Sequence, residues 1–271
     1  MISIYIFTLT NLLNFTFNFD IIFFLKMAGE TKSWSQIVSS ASTYISGTTF
    51  TIPATTTLNT STDNTNLLFD KLGNAVTTIE WNGPIAKSGQ NLISLDGMFY
   101  NCKNVSKITF GDAFNNSLKN NVYKMLGMFY GCSALTEIEG ITKWDLSTVD
   151  TIARMFFGCS NLMSIDIHGW ILKPGVNTSF VFANCFTEAT TTSGKKGYIY
   201  ATKTVMDALC GEENQAYSMN GSAVNDGITS IYRDDDIEDD ITNAVYNKYT
   251  VSYTPLDPAI SLNWVGYNSD L

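Results

Sequence analysis

Charged side chains are scarce in this sequence, and most of them are acidic. Asp, Glu, Lys and Arg make up 15% of the 271 residues, compared with about 25% in a usual soluble domain. The formal net charge is −9, and among the 16 basic residues only Arg154 and Arg233 are arginines. Binding to nucleic acid depends on clustered Lys and Arg, so no nucleic-acid partner is expected.

Histidine and long apolar runs are also scarce. His168 is the single histidine, which excludes mechanisms that need a histidine pair, and no nucleophile stands at motif spacing from it. No uninterrupted apolar run reaches the roughly 20 residues of a membrane-spanning helix, so no integral membrane span is expected. Glycine motifs for phosphates or dinucleotides and nucleophile elbows are missing. We therefore expect a protein that is not an enzyme and has no catalytic residue, cofactor or metal.

Residues 1–26 allow three interpretations. The stretch is apolar but interrupted by asparagines, and its first basic residue, Lys26, stands at the end opposite to that of a signal peptide. It is a degenerate export signal, a buried or membrane-associated segment, or the product of a start assigned too early, with the protein beginning at Met27. The fold is therefore predicted from Met27 onward.

A short motif recurs through the middle of the chain. Met, Phe, an aromatic residue and Cys stand in phase at 98–102, 128–132 and 155–159, with a weaker copy at 181–185. Each of the first three cysteines is followed by apolar residues three and six positions later. A degenerate first copy contains Phe69, Leu72, Val76 and Ile79. The repeated positions predicted to form the core are Met98, Phe99, Cys102, Met128, Phe129, Cys132, Trp144, Met155, Phe156, Cys159, Phe182 and Cys185.

Repeat units of about 20–30 residues cannot bury an apolar face alone, so they bury it against their neighbours. The segment after each cysteine predicts a short strand, and the copies of that strand predict a parallel sheet. A return segment follows, in which Trp144, Leu146 and Val149 point inward. The Met-Phe pair then begins a short helical turn that leads to the next cysteine.

At this point the sequence resembles a known family. Residues 128–162, MFYGCSALTEIEGITKWDLSTVDTIARMFFGCSNL, resemble the BspA-type leucine-rich repeat, in the variant of bacterial surface proteins and mycoplasma lipoproteins. The resemblance covers about residues 67–186 and weakens after Ile167, where 168–175 replace the expected return. It implies a solenoid scaffold and a surface or adhesion role, and it supplies no catalytic residues.

These observations predict an α/β repeat solenoid, leucine-rich-repeat-like and right-handed, with a parallel β-sheet, short helical turns and β-rich flanking segments. The expected segments are the doubtful extension 1–26, a helix and Thr-rich cap at 27–66, the solenoid 67–200, a capping helix and acidic loop at 201–243, and a C-terminal β segment at 244–271.

The flanks give more local predictions. Ser33 should cap a helix over 34–38, and the alternation of Phe50 and Ile52 favours a capping strand over a stalk. A closing strand is expected at 197–200 and a helix at 203–209. Residues 211–240 predict a long loop. Residues 244–265 predict a pair of strands or a small separate β module.

The cysteines and the acidic run suggest metal or disulfide chemistry, but their patterns argue against it. Equivalent repeat cysteines point the same way along a stack, which is poor disulfide geometry, and close Cys or His pairs for zinc are missing. We predict small buried thiols in the core. The run 234–240 fails the calcium-loop pattern at its glycine and glutamate positions, which favours a solvated acidic loop.

Tyr100, Tyr130 and Phe157 follow the Met-Phe pair at one repeat position and should align as a stripe. Exposed aromatic side chains are enriched at interfaces, so the stripe is a candidate binding ridge for a protein or glycan. Partial burial within the wall of the solenoid is the alternative.

The expected function is therefore that of a non-enzymatic repeat protein with an extended binding surface. An extracellular or cell-surface location with a role in adhesion or host interaction is one hypothesis. A structural component of a phage virion, such as a fibre, decoration or host-contact protein, is the other. The expected partner is a protein or glycan ligand, or neighbouring subunits of an assembly.

Overall fold

The computed structural model describes residues 29–62, 67–186, 197–210, 216–217, 228–233 and 247–253. The N-terminal segment 1–26 and the acidic run 234–240 lie outside these ranges. All four copies of the repeated motif lie inside them.

Most of the regular structure consists of short strands. The strands are β1 (Glu30–Lys32), β2 (Ile45–Ser46), β3 (Thr49–Ile52), β4 (Thr56–Leu58), β5 (Thr78–Trp81), β6 (Ile93–Ser94), β7 (Lys107–Phe110), β8 (Val122–Lys124), β9 (Glu137–Glu139), β10 (Asp145–Leu146), β11 (Ser164–Asp166), β12 (Ile171–Leu172), β13 (Gly197–Ala201), β14 (Ala216–Tyr217), β15 (Ile228–Arg233) and β16 (Asn247–Tyr253). The helices are α1 (Trp34–Ser39), α2 (Phe69–Leu72), α3 (Asp112–Ser117) and α4 (Lys203–Cys210), with short 3₁₀ helices at Ala41–Tyr44 and Ile141–Lys143.

The main sheet has the order β2-β3-β5-β7-β9, and all its pairings except β2–β3 are parallel. Its register places Phe50, Ile79, Ile108 and Ile138 opposite one another in turn. A slip of one residue would move each apolar side chain to the solvent face, so the repeated isoleucine specifies this register. Strands follow the cysteines as predicted, at β7, β9 and β11.

A second sheet, in the order β11-β13-β16-β15-β14, follows the main one along the chain. The predicted closing strand and helix are present as β13 and α4. The loop predicted for 211–240 is wrong in part, because β14 and β15 lie within it. The C-terminal strand β16 pairs with both β13 and β15, so backbone hydrogen bonds join it to the strand after the repeats. The second strand of the predicted pair falls outside the described ranges.

Two further parallel ladders connect the return segments of successive copies. β6 pairs with β8, and single bridges extend this row from Lys124 to Thr151 and on to Asn177. β10 pairs with β12 in the same way. The family resemblance of the sequence weakens after Ile167, but the backbone pairing continues there, because Ile171 and Leu172 pair with Asp145 and Leu146 of the preceding return.

The Met-Phe segments form successive turns rather than the expected helical turn. Alternate N–H groups donate to the next copy, as from Phe99 to Met128 and from Phe129 to Met155, both at 2.9 Å, whereas those between them, such as that of Tyr100, donate within the turn. Left-handed residues four positions apart interrupt the helical path in each copy. They are Gly97 and Asn101, Gly127 and Gly131, Arg154 and Gly158, and Phe180 and Asn184. Glycine at several of these positions avoids the cost of a Cβ in that conformation.

Aromatic rings continue the stack through the core. The centroids of Phe99 and Phe129 lie 5.6 Å apart, those of Phe129 and Phe156 5.3 Å, and those of Phe156 and Phe182 5.4 Å. All twelve residues assigned to the repeated core in the sequence are buried. The column is thus continuous from the second copy to the last.

Helix α1 covers the N-terminal end of this core. Ser33 caps it as predicted, and Gln36 completes a capping box by accepting a hydrogen bond from the Ser33 N–H. Trp34 lies on the buried side of the helix and stacks on Trp81 with 6.4 Å between ring centroids.

Asn115 is a buried polar residue that connects two copies. Its Oδ1 accepts a hydrogen bond of 2.9 Å from Trp144 Nε1, and its Nδ2 donates to the Phe110 carbonyl at 3.3 Å. Asn115 is 4% exposed. If its amide were removed, the Trp144 Nε1–H and the Phe110 carbonyl would each lose a hydrogen-bond partner at a place with little access to water.

We expect Asn115→Ala to lower the free energy of unfolding by about 2–3 kcal/mol, because each buried group left without a partner costs about 1–3 kcal/mol. Its exposed neighbour Asn116 is the matched control, and Asn116→Ala should stay within about 0.5 kcal/mol of the parent. Urea unfolding of the three proteins gives the values. Equal stability of the two variants would contradict this role for Asn115.

Candidate functional site

The aromatic stripe predicted from the sequence is a stacked column. Tyr100 and Tyr130 are stacked with 5.5 Å between ring centroids, and Tyr130 and Phe157 with 4.7 Å and an interplanar angle of 6°. Phe69 of the first copy meets Tyr100 edge-on at 6.2 Å. The rings therefore cover one another's faces.

Burial limits what this column offers to a ligand. Tyr130 is 7% exposed, whereas Tyr100 and Phe157 are half-buried. Removal from water raises the pKa of Tyr100, and it raises the pKa of Tyr130 with a further contribution from Tyr100. A partner would reach mainly ring edges, so the geometry favours the packing role of the stripe over the binding role.

The four repeat cysteines form a second column, inside the core. Cys102, Cys132, Cys159 and Cys185 are buried free thiols. Cys132 Sγ lies 3.0 Å from the Phe99 carbonyl oxygen and donates to it, and Cys159 donates to the Phe129 carbonyl at 3.2 Å. Two of the four thiols thus donate to a carbonyl of the preceding copy.

Burial sets the acidity of these thiols. It raises the pKa of Cys132 to about 12 and raises the pKa of the other three well above the usual range. The thiolate is the nucleophile and metal ligand, so these cysteines are unsuited to either role.

The outward face of the main sheet was missed as a candidate site. It consists of the side chains that alternate with the buried isoleucines: Thr49, Thr51, Thr78, Glu80, Lys107, Thr109, Glu137 and Glu139. All eight are half-buried or exposed. The period-two pattern K-I-T, E-I-E and T-I-E contains the signal that could have identified this sheet face.

Hydrogen bonds and ion pairs cross the sheet face from copy to copy. Lys107 Nζ lies 2.7 Å from Glu139 and 3.3 Å from Glu137. Thr109 donates to Glu139 at 3.0 Å, and Thr51 donates to Glu80 at 3.2 Å. The hydrogen bond from Lys107 is the main reason that the pKa of Glu139 is lowered. Three carboxylates share this face with one ammonium group, so its charge is negative.

His168 lies beside the second sheet and does not belong to this face. Its Nδ1 is 2.6 Å from Asp166 Oδ1, and its backbone N–H donates to the same oxygen at 3.2 Å. The imidazole is thus held against an acid two residues away.

The part of the chain that the structure describes contains no cluster of three or more His, Cys, Asp or Glu side chains placed to hold a metal ion. None of the helices described there has the length and apolar character needed to cross a bilayer. The acidic run 234–240 lies outside these ranges.

The comparisons with known proteins reach one family. Residues 93–208 match it. Its description is "Mycoplasma protein of unknown function, DUF285", and the match spans less than half of the chain. This family is related to the BspA-like proteins, although the match does not establish the leucine-rich repeat motif. None of the curated proteins and none of the solved structures matches the chain.

We expect Tyr130→Ala to destabilise the protein by about 3 kcal/mol, because it removes a buried ring between two stacked neighbours. Tyr130→Phe keeps the stack and should cost about 1 kcal/mol or less. Thermal and urea unfolding of both variants provide the test. A Tyr130→Ala protein as stable as the parent would show that the aromatic column is a surface ridge and that its packing does not stabilise the fold.

Proposed function

We propose that this chain is a non-enzymatic repeat protein that recognises another macromolecule through the sheet face. The observation that carries the proposal is the in-register stacking of β3, β5, β7 and β9, which sets equivalent outward side chains side by side. Stacked repeats with a common outward face are typical of extended binding surfaces. The scaffold in this proposal is the right-handed leucine-rich-repeat-like solenoid predicted from the sequence.

The composition of the sheet face indicates what kind of partner it fits. Its polar atoms are threonine hydroxyls and carboxylates, and Lys107 is its single basic group, already paired with Glu137 and Glu139. Complementary charge speeds encounter and selects partners. A protein with a basic contact patch, or a glycan bearing ammonium groups, suits this face, whereas a sulfated or sialylated glycan does not.

A role in adhesion or host interaction outside the cell is part of the proposal. The resemblance of the repeated motif to that of BspA-type surface proteins supports it.

A charge reversal on the sheet face tests the proposal. We expect Glu80→Lys/Glu137→Lys to weaken binding to the partner by about tenfold or more, since like charges then meet across the interface. Asp112→Lys/Asp150→Lys is the matched control, because it makes the same change in net charge at exposed positions outside the main sheet. The purified proteins are screened against arrayed extracellular proteins and glycans, and the affinities of the hits are then measured by biolayer interferometry.

The expected result is a partner that binds the parent and the control variant alike and loses affinity for the face variant. Circular dichroism confirms that both variants are folded. Equal affinity of the two variants for the partner would place the contact surface elsewhere, and a complete absence of partners in the screen would overturn the proposal.

A further inference from the structure

A cleft lies between helix α2 of the first copy of the repeat and the turn at 101–105 of the second. It has a volume of about 270 Å³ and lies between 69–76 on one side and 101–105 on the other. Pockets for drug-sized ligands usually have volumes of about 300–1,000 Å³, so this cleft suits a smaller molecule.

The cleft has a local structural cause. In the first copy, helix α2 replaces the turns that the later copies use, and the N–H groups of Lys71 and Leu72 donate to the Leu68 carbonyl within the helix. In the later copies the corresponding segment donates to its neighbour, as from Asn101 to the Tyr130 carbonyl at 2.7 Å. Those bonds join adjacent copies along this segment, whereas the first and second copies are joined through the pairing of β5 with β7.

The floor of the cleft is apolar and its rim carries amides. Leu72, Val76, Cys102 and Val105 form the floor and are nearly fully buried, while the half-buried ring of Phe69 stands at one side. The rim is formed by the polar side chains of Asp70, Asn74, Asn101, Lys103 and Asn104. An apolar surface beside converging polar groups is the usual composition of a small-molecule site.

Two of the rim amides are already oriented toward each other. Asn104 Nδ2 donates to Asn74 Oδ1 at 2.9 Å, and both side chains are exposed. This bond leaves N–H groups on Asn74 and a carbonyl oxygen on Asn104, a donor and an acceptor side by side. Exchanging the oxygen and nitrogen of both amides moves the remaining donor to Asn104 and the remaining acceptor to Asn74, so a donor and an acceptor stand side by side in either orientation.

We propose that this cleft binds a single pyranose ring of a glycan. Two adjacent hydroxyls of a sugar can each donate and accept, so one can accept from Asn74 while the other donates to Asn104. The C–H face of the ring then lies against Phe69 and the apolar floor. The cleft uses no residue of the sheet face, so this proposal stands or fails separately from the one made above.

Binding of simple glycosides tests the proposal directly. The probes are the methyl glycosides of glucose, mannose, galactose and N-acetylglucosamine. Saturation-transfer NMR detects their binding, and titration gives the Kd. We expect at least one to bind the full chain, with Asn104→Ala and Asn74→Ala each weakening the Kd by about tenfold through the loss of two hydrogen bonds. Asn116→Ala, an exposed amide on α3, is the control and should keep the parent Kd.

Several results would overturn the assignment. One is the failure of all four glycosides to bind, and another is binding that both rim variants retain unchanged. Cyclohexanol, which has an apolar ring but no adjacent hydroxyls, should bind far more weakly than the best glycoside. Equal binding of cyclohexanol would mean that the cleft binds apolar rings and does not recognise a pair of adjacent hydroxyls.

Discussion

The contact between one copy and the next is the interaction on which the rest of this molecule depends. The last four copies each contribute a phenylalanine ring to a stack with centroid spacings of 5.3–5.6 Å, and the thiols of Cys132 and Cys159 each donate to the copy before. Such ring pairs contribute about 0.5–1.5 kcal/mol beyond the area they bury. Because a copy buries its apolar side only against its neighbours, stability comes from these interfaces more than from any copy alone. The need to cover the two ends follows from the same constraint, and α1 with Trp34 does this at the N-terminal end.

Much of this interface could be predicted from the sequence because the signal is repeated. The phased cysteines, the Met-Phe pairs and the isoleucines after them identified the buried columns and the strands β7, β9 and β11. Local capping rules were sufficient for α1, since Ser33 and Gln36 act within one turn. The alternation of Phe50 and Ile52 was sufficient for β3 in the same way.

Other features depend on contacts that no local pattern encodes. The expected helical turn at the Met-Phe pair is a series of turns, because left-handed residues such as Gly97 and Gly127 direct N–H groups to the next copy. Trp170 continues the stack despite a divergent sequence, with its ring 6.1 Å from that of Trp144. Nothing in the local sequence distinguishes Asn115 from other helix residues. Its role depends on the hydrogen bond that it accepts from Trp144 of the following copy. The role of the C-terminal strand β16 depends on pairing with β13 across a long intervening segment.

The same constraint decides which surfaces are left for ligands. Side chains that point into the stack are used up in packing, and this includes Tyr130, which the sequence had suggested as a binding residue. The sheet face remains outside because strand side chains alternate, and the cleft exists because α2 interrupts the bonding between copies. The candidate sites are therefore the sheet face, where stacking leaves side chains exposed, and the cleft, where the regular contact between two copies is interrupted.

Site-resolved alkylation of the four repeat cysteines is the most direct test of this stacking. The full chain is treated with iodoacetamide at increasing urea concentration, and the labelling of Cys102, Cys132, Cys159 and Cys185 is measured by mass spectrometry. We predict that all four thiols stay unmodified under native conditions and react only when the copies that bury them unfold. Reaction of any of the four at the rate of a free cysteine in the absence of urea would contradict the account.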